Sequence, residues 1–136
     1  MRPPVNGAFL TPLDMRDLGD GTHFRLLAPL EYVSKAGVHY IVPAGFVTDL
    51  NSSPRFLWRI YPKSNKANRA AVIHDYYYAT ALISKALADR LYHEASAACG
   101  VPGFISWAAY QAVHRFGRGS WEQHADERGP DRDEAA

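Results

Sequence analysis

The stretch AAVIHDYYYAT (70–80), followed after three residues by SKALADRLYHE (84–94), decides how the second half of the chain folds. Ala67, Ala70, Ala71, His74 and Tyr78 recur at three- and four-residue spacings, which predicts a helix from Asn65 to about Leu82. Ser84 is a helix N-cap by residue type and Gly100 a terminator, so a second helix fills the interval. Its apolar positions Leu87, Leu91, Ala95 and Ala98 form one stripe. The short connection between the two makes them antiparallel neighbours. Pro102 suits the first turn of a third helix, with Trp107, Tyr110, Val113 or His114, and Phe116 as its repeating positions before Gly117.

Upstream, the periodicity changes. GAFLTPL (7–13), THFRLLAPLEYV (22–33) and HYIVPAGF (39–46) are β-prone runs separated by Gly, Pro and Asp. GDG (19–21) and KAG (35–37) are hairpin-type turns, and Pro29 and Pro43 push their runs to sheet edges or strand ends. The expected fold is α+β: a small N-terminal antiparallel sheet followed by a three-helix C-terminal half.

The chain has 136 residues, enough for one domain, placed at residues 1–122. An apolar content of 47% and a charged content of 21% exclude a mostly disordered protein. No apolar run reaches the roughly 18 residues of a membrane span. The net charge of +1 conceals a partition: residues 118–136 carry −3 and the rest +4. HADERGPDRDEAA (124–136) has no apolar side chain larger than alanine, so 123–136 reads as an acidic tail, disordered or ordered by a partner. Bulk charge gives no nucleic-acid footprint. The lone Cys99 closes no intramolecular disulfide and builds no multi-cysteine zinc site, which is compatible with a reducing compartment. MRPPVNGAFL lacks an apolar core, so no signal peptide is expected. C-x-x-C, H-E-x-x-H, P-loop, G-x-S-x-G and G-x-G-x-x-G patterns are absent.

Three groups of residues carry chemistry. His74 and Tyr78 share a helix face, with Asp75 about 100° round from His74. Asp89, on the next helix, can face His74 across the interface. A carboxylate holding one imidazole nitrogen leaves the other as a base or ligand; equally, the pair can simply pack two helices. In GFVTDLNSSPRFLW (45–58), Thr48, Asp49 and Ser52 could line the same site, with Asp49 adding oxygen ligands for a hard cation beside Asp75. The same side chains also close turns on their own backbone. Arg55, Arg59, Lys63, Lys66 and Arg69, interleaved with Trp58 and Tyr61, could meet a phosphate, a lipid surface or an acidic partner, or merely solvate a connection.

VPAGFVTDLNSSPRFLW (42–58), AVIHDYYY (71–78), the A-D-x-L helix and AVHRFGRGSW (112–121) together resemble domain-of-unknown-function family 1353, found in bacteriophages, prophages and related bacterial loci. The resemblance covers roughly residues 8–121 and implies phage origin, in a virion, tail or lysis gene neighbourhood. A looser similarity is to phospholipase A2 of the disulfide-free type in parvovirus capsid proteins, where an H-D-x-x-Y helix packs on a helix bearing an A-D pair. That similarity implies His74 as the base activating water, Asp75 as a calcium ligand, and Tyr78 and Asp89 as hydrogen-bonding supports. The glycine-rich calcium loop of those enzymes is missing, and TDLNSSP (48–54) stands near its place.

These readings combine into an expectation. The chain is a phage protein of the virion or the infected host's cytoplasm, touching other phage proteins. It has a His74–Asp75–Asp89 site of hydrolase-like geometry directed at an envelope component, a lipid ester first. Tyr78, Thr48, Asp49 and Ser52 line that site, and a divalent cation such as calcium is its implied cofactor. The contrary class is a non-catalytic structural or adaptor protein in which the same polar residues tie the helical hairpin to the sheet.

Overall fold

A computed structural model describes residues 6–49, 68–116 and 121–122. Within them, six short strands precede three helices: β1 (Ala8–Phe9), β2 (Met15–Asp17), β3 (Phe24–Leu26), β4 (Leu30–Val33), β5 (His39–Val42), β6 (Val47–Thr48), α1 (Asn68–Thr80), α2 (Lys85–Ala98) and α3 (Gly103–Phe116). The α+β arrangement is the one the sequence pattern implies.

The strands form two antiparallel three-stranded sheets, ordered β1-β4-β5 and β2-β3-β6, where a single sheet was expected. The division falls inside THFRLLAPLEYV, whose two ends belong to different sheets. Leu27, Ala28 and Pro29 separate them, and Pro29 lacks the N–H a ladder needs. Pro43 follows the last residue of β5 for the same reason. The KAG turn joins β4 to β5, with Gly37 at φ +85° donating to the Ser34 carbonyl. At the GDG turn, Asp20 Oδ1 accepts from the backbone N–H groups of Thr22 and His23.

Alternation along β4 and β5 sets the core. Leu30 pairs with Val42 and Tyr32 with Tyr40, all buried on one face. Glu31 pairs with Ile41 on the other face, where Glu31 also meets the His39 ring at 2.8 Å. Against the sheets lies α1, whose consecutive residues Ala70–His74, together with Tyr77 and Tyr78, are buried. A helix covered on nearly all sides is a core element, not a surface one. Tyr77 meets Tyr40 edge-on at 5.7 Å, and Tyr76 meets Phe46 edge-on at 5.2 Å, which locks α1 over β5 and β6.

Helix α2 starts where Ser84 caps it, its hydroxyl accepting from the Leu87 N–H. It ends at Gly100, at φ +87°. Leu91 and Ala95 of the expected stripe are buried, whereas Ala98 is exposed. In α3 the orientation differs from expectation. Trp107 is 58% exposed, and among the described side chains of α3 the buried ones are Ile105, Ser106, Ala109 and Ala112. The alanines let α3 approach α2 closely, and an indole on that face would hold the two axes apart.

Leu30→Ala should cost about 2–5 kcal/mol, because it opens a cavity at a fully covered position. Ile41→Thr, on the exposed face of β5, should stay within about 0.5 kcal/mol of the parent. Urea denaturation of the two variants checks the assignment of the faces.

Candidate functional site

Asp89, completely buried on α2, organises the site. A carboxylate in that position demands donors on both oxygens. Oδ1 faces His74 Nε2 at 2.7 Å and accepts the Tyr78 hydroxyl at 2.6 Å. Oδ2 accepts Lys85 Nζ at 2.8 Å. His74 and Tyr78 come from successive turns of α1, and their rings meet at 4.0 Å between centroids with planes tilted by 40°. Lys85 comes from α2 itself, one turn before Asp89, and its ammonium also donates to the His114 carbonyl of α3 at 3.1 Å. His114 Nδ1 stands 3.7 Å from Oδ2. Tyr92, one turn after Asp89, closes over the His74 ring at 5.1 Å, and Trp121 meets the Tyr78 ring edge-on at 5.1 Å.

The protonation states follow from burial and partners. Burial pushes the His74 imidazole below its ordinary value, and the nearby Lys85 charge adds to this; the Asp89 hydrogen bond and charge pull the other way without prevailing. Burial alone would raise the Asp89 carboxyl, but hydrogen bonds from His74, Lys85 and Tyr78 together hold it below the ordinary carboxylate range. The Tyr78 phenol is driven well above its ordinary value by burial and by its bond to Asp89, so it stays a donor. The site thus contains an ionised Asp89 and a neutral His74. With Asp89 accepting from Nε2–H, the imidazole lone pair lies on Nδ1.

The other expected residues divide. Asp75 follows His74 on α1 and is half-buried. Asp49 follows β6, on which α1 packs. The two carboxylates share one neighbour: the His23 imidazole, raised chiefly by its bond to Asp20, also feels the charges of Asp49 and Asp75. Thr48 is buried in β6, opposite Phe24. Calcium takes six to eight oxygens. Among the described residues, no group of three or more His, Cys, Asp or Glu side chains is placed to hold a metal ion. The described residues therefore do not make a calcium site by themselves. Ser52 and the basic residues Arg55, Arg59, Lys63 and Lys66 lie outside the described residues; Arg69 lies inside them, its guanidinium 4.6 Å over the Phe9 ring. Among the described residues, no helix is long and apolar enough to cross a membrane.

The family model for "Protein of unknown function (DUF1353)" matches residues 24–113, well over half of the chain. The chain belongs to that family. It is also 31% identical over 96 residues to the "Uncharacterized protein y4jT" of Sinorhizobium fredii (strain NBRC 101917 / NGR234). That match covers 69% of this chain and 29% of the relative, so the chain spans less than a third of the curated protein it matches. No solved structure matches the chain.

Lys85, Tyr92, His114 and Trp121 are the site neighbours that sequence reasoning missed. Lys85 had a readable signal, since it stands four residues before Asp89 on the same helix. The approach of His114 and Trp121 is tertiary and had none.

Acid should lower the stability in two steps. The unfolded imidazole titrates near 6.5 and the folded one lower. The His74 contribution is therefore complete above about 6.5 and is lost as pH falls toward the folded value. The Asp89 contribution is complete above the ordinary carboxyl value of 3.8 and fades below it. Urea midpoints measured against pH, parent minus His74→Gln, should show the first decline in the parent alone.

Proposed function

We propose that the chain is a bacteriophage protein, associated with the virion or its tail, whose His74–Asp89 pair performs base-assisted hydrolysis of a host envelope component. A lipid ester is the first substrate class. What carries this reading is the shared acceptor: Asp89 Oδ1 takes both the His74 imidazole and the Tyr78 hydroxyl. The similarity to the H-D-x-x-Y and A-D helix pair of the parvovirus-type phospholipases implies those three roles for those three residues. Phage association rests on the resemblance to a family found in phages and prophages.

The protonation states suit a base-assisted reaction. His74 Nδ1 takes a proton from water as the water oxygen attacks the ester carbonyl carbon. Asp89 stabilises the imidazolium so formed. As the tetrahedral intermediate collapses, the C–O bond to the leaving alcohol breaks, and the imidazolium returns the proton to that oxygen. Tyr78 and Lys85 keep Asp89 ionised and fixed throughout. The bond from Nε2 to Asp89 fixes the orientation and tautomer of the ring.

One observation favours the second reading, a structural or adaptor protein. His74 is only 3% exposed and Asp89 not at all, the burial of a packing network. A single experiment separates the two. Purified protein is incubated with phosphatidylglycerol–phosphatidylethanolamine vesicles, with and without calcium, and released fatty acid is measured. The hydrolase reading expects release by the parent and a fall of about 10²–10⁴-fold in a folded His74→Gln variant. No release by the parent, with a lowered melting temperature in the variant, establishes the structural role. Mass spectrometry of purified virions tests the location: absence from the particle overturns the virion assignment.

A further inference from the structure

Lys85 is placed as no helix-surface lysine needs to be. It is 21% exposed, and its ammonium lies between two acceptors from different helices: Asp89 Oδ2 on α2 and the His114 carbonyl on α3. His114 is within the last four residues of α3, whose carbonyls have no partner inside the helix and which form the negative end of its dipole. A lysine there satisfies an orphan carbonyl and a buried carboxylate with one charge. The groups facing Asp89 are His74 and Tyr78 from α1, Lys85 from α2 and His114 from α3.

We propose that Lys85 is the positioning residue of the His74–Asp89 pair, fixing which carboxylate oxygen His74 meets and tying that geometry to the C-terminal end of α3. By occupying Oδ2 it leaves Oδ1 to His74 and Tyr78, so the carboxylate cannot rotate without breaking an ion pair. Without it, Asp89 carries an uncompensated charge in a buried place, a costly state. The charge is relieved by a proton on Asp89 or a second proton on His74, or by rotation of the carboxylate toward a new donor. Each response alters the Nε2–H bond. The role deepens the hydrolase reading, since it concerns the same site, yet its first test needs no activity.

The experiment is proton NMR of the full chain labelled with nitrogen-15. It follows the hydrogen-bonded His74 Nε2–H resonance downfield of the amide region, assigned by its loss in His74→Gln. In Lys85→Met, that resonance should shift or broaden away while the amide spectrum stays dispersed. In Lys85→Arg, whose guanidinium spans both acceptors, it should persist. Should Lys85→Met fail to fold, Lys85→Gln, of similar reach but uncharged, takes its place with the same expectation. An unchanged resonance in a folded Met or Gln variant, even one of lower melting temperature, overturns the proposal and leaves Lys85 a structural tie. If the parent hydrolyses lipid, the uncharged variant should also lose kcat with KM unchanged. If the parent does not, the hydrolase reading fails alone and the resonance still decides the role of Lys85.

Discussion

A carboxylate with no access to water is the constraint around which the helical half is built. Asp89 gains nothing from solvent, so each of its oxygens must find donors in the protein. The solution recruits α1 twice, through His74 and Tyr78, and the turn before Asp89 once, through Lys85. The interval of four residues between His74 and Tyr78 puts both on one side of α1 with their rings in contact. The interval of four between Lys85 and Asp89 does the same within α2. Two helical repeats thus meet at one atom group. Removing one donor would strand a buried charge, which typically costs about 3–5 kcal/mol.

That arrangement requires α1 to be held on its other side, and the sheets do this with aromatic edges. Tyr40 and Phe46 rest against Tyr77 and Tyr76, the residues between His74 and Tyr78 that point away from Asp89. The three consecutive tyrosines therefore divide their work. Two grip the sheets, and the third supports the carboxylate. Small residues complete the fit: Ala70 and Ala71 on α1, with Ala88 and Ala95 on α2, are completely buried and let elements approach closely. Core and candidate site are not separate regions here. The polar residues of the site are part of the contact between α1 and α2.

What could be read in the sequence follows from this geometry. Helix periodicity, the Ser84 cap, the Gly100 stop and the proline-limited strands are local signals, and the elements formed where those signals stand. The facing of His74 by Asp89 was legible because a short connection fixes two antiparallel helices. Non-local choices were hidden. Pro29 marks a break in THFRLLAPLEYV but does not say that its ends enter different sheets; the pairing of β3 with β6 and of β4 with β1 settles that. The exposure of Trp107 was hidden too, since apolar spacing in α3 allows two rotations and the close approach of α2 selects the one with alanines inward.

Lys85 shows why part of a site can escape a residue-by-residue reading. Its second acceptor is a backbone carbonyl, and any residue at position 114 would supply one. The requirement is that α3 end near α2's first turn, not that a given side chain stand there. The family's matched stretch, residues 24–113, holds His74, Tyr78, Lys85 and Asp89. A motif written in side chains can name Asp89 and its side-chain donors and still leave out the helix-end carbonyl that holds the lysine. The length of α3 and its crossing of α2 carry that information. The crossing is a property of packing, set where Ala109 and Ala112 on the buried face let α3 approach α2, and not by the residues that touch the site.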